Sequence, residues 1–452
     1  MGKQIEALAT FAAETKLERI PEAVRCHAKL VVLDSIGVIL AGADRPEVRA
    51  LRERLTATCA TGATVLAPGW PTTDPRTAAL LNGIAGRSLE LGEGHRYVSY
   101  QGAMQILPGV LSVGEHERTS GREMLAALIL GYDVGARLGL AMTTRPLAHQ
   151  NGQAALLGAA AAGSRLRGFD AAGTSLAIRI AATLVLTPSY NNAVAGATTL
   201  NVAGGMSGFA LALAPDLALS GFSAQENAIE EALASLVGDG FRSDTLLEEL
   251  GTRWEITRNW FRLRACCNPI YAALDALEAA AAKLNASAED IERVDVATFG
   301  FASVMRNPDP PNYFASKYSL PHVAACLLVR GSTGFDAVDD SALHDPAIAA
   351  LRHRVHITED PALSAMAPAL KPARVTVTLK DGRTSTHSCD SPRGDCLDPY
   401  DESEIRDKFR AMAAGALTAE GIDKLEACVD RFEELEDAGE LTTVLRRYGR
   451  SA

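Results

Sequence analysis

Lysine is nearly missing from the first half of this chain. Of nine lysines in 452 residues, none falls between Lys29 and Lys283, although arginine is common there. Schiff-base chemistry is therefore closed to that half unless a flanking lysine folds in. Any anion held there must be held by arginine, histidine, backbone N–H groups or helix N-termini. Cysteine is sparse and scattered, at 26, 59, 266, 267, 326, 389, 396 and 428. No CxxC pair and no Cys/His spacing of a zinc site occurs, so no metal is expected. A chain of this size needs no disulfide staples, which predicts reduced thiols and a cytoplasmic location. No uncharged apolar run reaches the roughly 18 residues of a membrane span; the best candidate, LVVLDSIGVILAG, carries Asp34. The amphipathic start, MGKQIEALATFAAETKLERI, lacks the apolar stretch of a signal peptide. Positive charge is not in excess either: 44 Lys+Arg against 55 Asp+Glu give a net charge of −11. That balance argues against nucleic acid or an anionic membrane as the main partner and leaves room for a local basic site that takes a small acid.

What is present is an ordinary globular composition, 47% hydrophobic and 22% charged. The length suits two or three domains of roughly 150 residues, or one large domain with a companion. Residues 1–264 read as helices. The segment 22–41 is apolar at helical spacing, and TSGREMLAALILGYDVGARLGLAM (119–142) opens on a Ser/Thr cap signal. GQAALLGAAAAGSRLRGF (152–169) and GGMSGFALALAPDLALSGF (204–222) are rich in small residues, as closely packed central helices are. Neither follows a predicted strand, as a nucleotide loop would. From about 270 the texture changes. ERVDVATFGF, HRVHIT and ARVTVTLK alternate in period two, and Asp381-Gly382 predicts a two-residue hairpin. A capped helix, DESEIRDKFRAMAAGAL (401–417), restores the helical texture. The expected organisation is mainly α: a large all-helical domain (1–264), a smaller α+β lid domain (265–397) and a C-terminal return to the helices (398–452). Such an arrangement leaves a cleft between its parts.

The stretches LVVLDSIGVILAGA, LNGIAGRSLELGEGHR, ILPGVLSVGEHERTSGREMLAALILGYDVGARL, RACCNPIYAALDAL, ASKYSLPHVAACLL and VTLKDGR…SPRGD…DPYDESEIRDKF, in this order over nearly the whole chain, resemble the MmgE/PrpD family. The resemblance implies a cofactor-free active site between the two domains and a homodimer. It also implies chemistry that begins with proton transfer at a carbon next to a carboxylate or carbonyl, with loss of water, loss of CO₂ or return of the proton as alternative outcomes. ELGEGHRY resembles the iminodisuccinate-epimerase-like branch more than the dehydratases, which carry an acidic run there.

Carried over residue by residue, His149 matches a family histidine. Arg96 and Asn201 match an arginine and an asparagine of the epimerase-like branch, and Lys317 matches a basic residue before Ser319. Gln101, Leu200, Ala203 and Tyr271 stand where relatives carry other groups, three of them histidines. Expected catalytic residues are therefore His149, Tyr271 and His95. Arg96, Lys317, Tyr100, Gln101, Asn201 and Arg264 are expected to bind the substrate, with one of Arg262 and Arg264 facing the cleft. Glu90 and Glu93 read as ion-pair partners of His95 and Arg96, and Cys266–Cys267 as packing. The polar tract SYNNAVAGATTLN (189–201) would suit a substrate less charged than a tricarboxylate. The expected function is a cofactor-independent isomerase or lyase, epimerase-like. Alternatives are a dehydratase or decarboxylase of a small polycarboxylate, a biosynthetic enzyme for a less acidic metabolite, and a non-catalytic binding protein.

Overall fold

In the computed structural model the described residues are 2–56, 62–285 and 287–450, so Cys59 lies outside them. Helices dominate the first part, but it is not the all-helical domain expected: three short antiparallel pairs, 63–64 with 72–73, 94–95 with 259–260 and 142–144 with 238–241, tie its loops together. Helix α1 (Glu22–Gly42) follows Pro21, and α2 (Pro75–Arg87) is capped by the Asp74 carboxylate, which accepts from the Arg76 and Thr77 amides. Next come α3 (Gly102–Glu117), α4 (Gly121–Ala141), capped by Ser120 as the sequence signal predicts, α5 (Ala154–Leu166) and α6 (Thr199–Leu219).

Small residues set how closely these helices approach. A Cβ added to Gly131 of α4 would lie 2.8 Å from both the Gly158 oxygen and the Ala162 Cβ of α5. One added to Gly83 of α2 would lie 2.8 Å from the Gly205 Cα of α6. The Gly/Ala runs are thus contact surfaces, and α4–α5, α2–α6, α2–α3 and α5–α6 form the packed centre. Helices α4 and α6 are long and apolar enough to cross a membrane by length and composition. The core accounts for α4, whose apolar window is 94% buried, but only 56% of the α6 window is buried. Val202, Met206, Phe209 and Leu213 form an apolar stripe on α6 that no other described element fully covers.

The second part opens with α7 (Tyr271–Leu284), followed by β1 (Ile291–Thr298), α8 (Leu320–Arg330), β2 (Val355–Glu359), β3 (Ala373–Leu379) and β4 (Thr384–Cys389). The sheet order is β4-β3-β1-β2, with β1 and β2 parallel and the other pairs antiparallel. Val294 and Val296 sit opposite Val377 and Val375, and α7 covers this buried face. The hairpin falls at the expected Asp381-Gly382, but its loop has three residues. The Leu379 amide donates to the Arg383 oxygen, which leaves Lys380, Asp381 and Gly382 to turn, with Gly382 at φ +86°. A turn closed by one left-handed residue is the next commonest solution after the two-residue loop. Helices α9 (Glu402–Ala413) and α10 (Ala419–Asp430) then pack on α1, where Ile405 and Phe409 join Val31 and Val32 in one apolar cluster. Lys408 of α9 reaches back to the buried Asp34 carboxylate at 2.6 Å.

Candidate active site

A cavity of about 700 Å³ lies between the two parts. The helical side supplies the end of α2, the loop that follows it, and His149. The chain crosses at Trp260–Pro269, and the sheet side adds Phe299–Phe301 and the loop that ends at Lys371.

Glu90 is the centre of charge. Its carboxylate accepts from Arg87 Nη2 at 2.7 Å and from Arg262 Nη1 at 2.5 Å, and all three side chains are buried. Burial opposes ionisation, but the two guanidiniums outweigh it and hold the carboxyl at about 2. Glu90 has φ +54°, a left-handed conformation that costs a non-glycine residue roughly 1–2 kcal/mol. Such backbone persists only where surrounding contacts over-determine it, and the double arginine grip supplies them. The triad does not use up its donors. Arg87 Nε and Nη1, Arg262 Nε and the nearby Gln101 Nε2 are buried without a protein acceptor. These nitrogens have almost no accessible surface, so a ligand would reach them only after a side-chain shift.

His149 borders the same space. Its ring stacks on Tyr190 with centroids 5.8 Å apart, and Nδ1 accepts the Asn151 amide at 3.3 Å. That bond leaves the proton of the neutral ring on Nε2. Burial, reinforced by Arg87, pushes its pKa down to about 3, against the pull of Glu90, so the ring is neutral at pH 7.

Other expected residues reach the cavity with their polar groups already engaged. His95 Nε2 bonds Glu255 at 3.0 Å while Nδ1 accepts the Tyr97 amide, so neither ring nitrogen is free for catalysis. The guanidinium of Arg96, expected as a substrate fork, is paired with Asp395 and ties down the loop around Ser391. Tyr100 donates its hydroxyl to the Tyr132 carbonyl at 3.1 Å. Gln101 keeps a free donor at Nε2, as Arg96 does at Nε; Gln101 Oε1 accepts from Gln150 at 3.5 Å.

Four expected residues do not border the cavity. Tyr271 is buried, its hydroxyl donating to the Arg264 carbonyl at 2.5 Å. Arg264 turns to Asp275 and Glu278, at 2.7 and 2.8 Å, so Arg262 is the arginine of the pair that faces the cleft. Lys317 donates to the Val338 carbonyl and lies 4.0 Å over the Tyr313 ring; burial lowers its pKa to about 7. Asn201 is buried in the first turn of α6. Glu90 pairs with Arg87 and Arg262 rather than with His95 or Arg96. Among the described residues Glu93 pairs with no cation: it accepts from the Ala103 amide and the Tyr132 hydroxyl, and burial raises its pKa to about 7. Cys266 is buried and does not border the cavity, whereas Cys267 does; burial pushes the Cys267 thiol up to about 12.

Sequence reasoning gave no role to Arg87, Tyr190 or Lys371. Arg87 lies inside a quoted motif and Tyr190 inside the polar tract, but nothing in the sequence around Lys371 sets it apart. Its Nζ donates to Asn268 Oδ1 at 2.5 Å. Among the described residues no group of three or more His, Cys, Asp or Glu is placed to hold a metal ion.

Known proteins resemble this chain along most of its length. Residues 6–237 match the MmgE/PrpD N-terminal domain and residues 265–433 the MmgE/PrpD C-terminal domain. The cis-aconitate decarboxylase-like protein oryM of Aspergillus oryzae is 24% identical, over 98% of this chain and 97% of that protein. A cis-aconitate decarboxylase of Aspergillus terreus is 23% identical, over 96% and 94%. The Mus musculus cis-aconitate decarboxylase is 28% identical, over 35% of this chain and 32% of its own. With both domain models matched, in order and over most of its residues, the chain belongs to the MmgE/PrpD family of enzymes.

Proposed function

We propose that this protein is a lyase or isomerase that moves a proton at a carbon adjacent to a carboxylate or carbonyl, with His149 as the proton-handling residue and no cofactor. The observation that carries this reading is the neutral His149 ring on a cavity whose helical wall keeps one uncompensated positive charge, from Arg87 and Arg262 around Glu90. A substrate carboxylate drawn to that charge brings negative charge beside the imidazole and raises its proton affinity. For Nε2 to act as base the neutral ring must first carry its own proton on Nδ1, giving up the Asn151 bond; Nε2 then takes the proton from carbon and can give it back. The Arg87 and Arg262 guanidiniums stabilise enolate-like charge as it develops. The curated relatives are named as decarboxylases, which favours a lyase outcome over epimerisation.

The test is proton exchange. Candidate carboxylates, cis-aconitate among them, are incubated with the protein in deuterated water. Deuterium incorporation next to the carboxylate, or CO₂ or water release, is followed by NMR and mass spectrometry. Incorporation or turnover that His149→Gln abolishes supports the reading. Substrates that turn over equally well with His149→Gln overturn it.

The apolar stripe of α6 supports a homodimer through the helical part. Light scattering should give twice the chain mass, and Phe209→Glu should return a monomer. The free thiols among the described cysteines favour a reducing, cytoplasmic setting.

A further inference from the structure

The charges that line the cavity do not cancel evenly. Arg87 and Arg262 share the single charge of Glu90, which leaves one net positive charge at the helical end. Arg96 is balanced by Asp395. Glu359 is exposed and bonded to Ser364. Lys371 stands apart. Among the described residues no carboxylate lies within ion-pair distance of its Nζ, and its hydrogen-bond acceptor is the neutral amide of Asn268. Two unpaired positive charges therefore remain, one on each wall, with the exposed Glu359 carboxylate as the unpaired negative charge of the lining. The surface between them is largely aromatic: Tyr190, Trp260, Phe299 and Phe301 border it, and Phe301 is 48% exposed.

We propose that Lys371 is a substrate anchor which, with Asn268, grips a carboxylate, and that the site takes carboxylates with an apolar body and no more than two anionic groups. This rests on the reading of the cavity as the active site of a carboxylate-processing enzyme. A tricarboxylate would bring three negative charges to two unpaired positive ones, and its compact body would leave the aromatic wall without contacts. A dicarboxylate with an aryl or alkyl substituent meets both poles and covers that wall. Burial, reinforced by Arg96 and Arg262, lowers the Lys371 pKa to about 8 against the pull of Cys267 and Asp395, as expected of an ammonium awaiting an anion.

Binding is read by titration calorimetry and needs no turnover. The probes are phenylsuccinate, succinate and tricarballylate, at pH 7. Phenylsuccinate should bind at least roughly 10-fold more tightly than either of the others. Lys371→Met should weaken it roughly 10- to 100-fold, the range of a lost charge-assisted hydrogen bond. Lys371→Arg should recover most of that loss. Tricarballylate as the tightest ligand, undiminished phenylsuccinate binding by a folded Lys371→Met, or no binding of any probe at millimolar concentration would each overturn the proposal. If this binding order holds while proton exchange is absent, the catalytic reading fails and the anchor stands.

Discussion

The two walls of the cavity are built on opposite principles. On the helical side polar groups are bonded into one another: Glu90 between two arginines, His95 between Glu255 and a backbone amide, Tyr100 on a carbonyl. The sheet side offers rings, one lysine without an acidic partner and the exposed Glu359 bonded to Ser364. A pre-paired wall is rigid and expensive to disturb, because removing one member strands another in a dry setting. A sparsely polar wall can be altered cheaply. The helical side is thus suited to holding reacting groups in place, and the sheet side to choosing what is held.

This contrast breaks or sharpens under substitution. The largest effect should come from His149→Gln, which should lower turnover by about 10²–10⁴-fold, the usual worth of a positioned acid or base, while the melting temperature stays near the parent's. An active His149→Gln would move the chemistry off the helical wall. Glu90→Gln comes next. It leaves Arg87 and Arg262 facing each other without a counter-charge and should cost about 3–5 kcal/mol in urea unfolding. A loss below about 1 kcal/mol would show that the triad is solvated rather than pre-paired.

Lys317→Met is smaller and probes a buried lysine away from both walls. Its folded pKa, about 7, lies below the ordinary 10.5 because burial disfavours the charge. Between those pH values the unfolded chain holds more protons, so the parent gains stability as pH rises. Lys317→Met should lack that gain, and the difference between the two should change by up to ~1.4 kcal/mol per pH unit. Phenylsuccinate binding should not follow it. Phe301→Ala should have the smallest effect, weakening phenylsuccinate several-fold through loss of about 1 kcal/mol of apolar contact and leaving succinate unchanged.

What the sequence made legible divides along the same line. The helical texture, the close-packed Gly/Ala helices and the strand pattern are local, and short-range periodicity reports them. His95, Arg96, Tyr100 and Gln101 come to the cavity together because one loop carries them, and His149 because its loop leads straight into α5. Tyr271, Lys317 and Arg264 fail for a shared reason. Each is turned from the cavity by its own partner, Tyr271 by the Arg264 carbonyl, Lys317 by the Val338 carbonyl and Arg264 by Asp275 and Glu278, and resemblance fixes a position without fixing a direction. Whether His95 and Arg96 are free for a substrate depends on Glu255 and Asp395, which lie 160 and 299 residues away in the chain. Lys371 belongs to the same class, since its importance comes from the acid it lacks.

The glycine contacts between helices have a consequence for how such a protein can change. Where Gly131 meets Gly158 and Gly83 meets Gly205, the backbones already touch, and any larger side chain would have to push whole helices apart. The scaffold behind the helical wall is therefore fixed in outline, as a casting is, and successive mutations cannot loosen it a little at a time. Descendants that acquire new substrates must do so by rewriting the opposite wall. In a lineage of such chains, novelty should accumulate in the loops between Phe299 and Lys371 while the helices beneath them stay still.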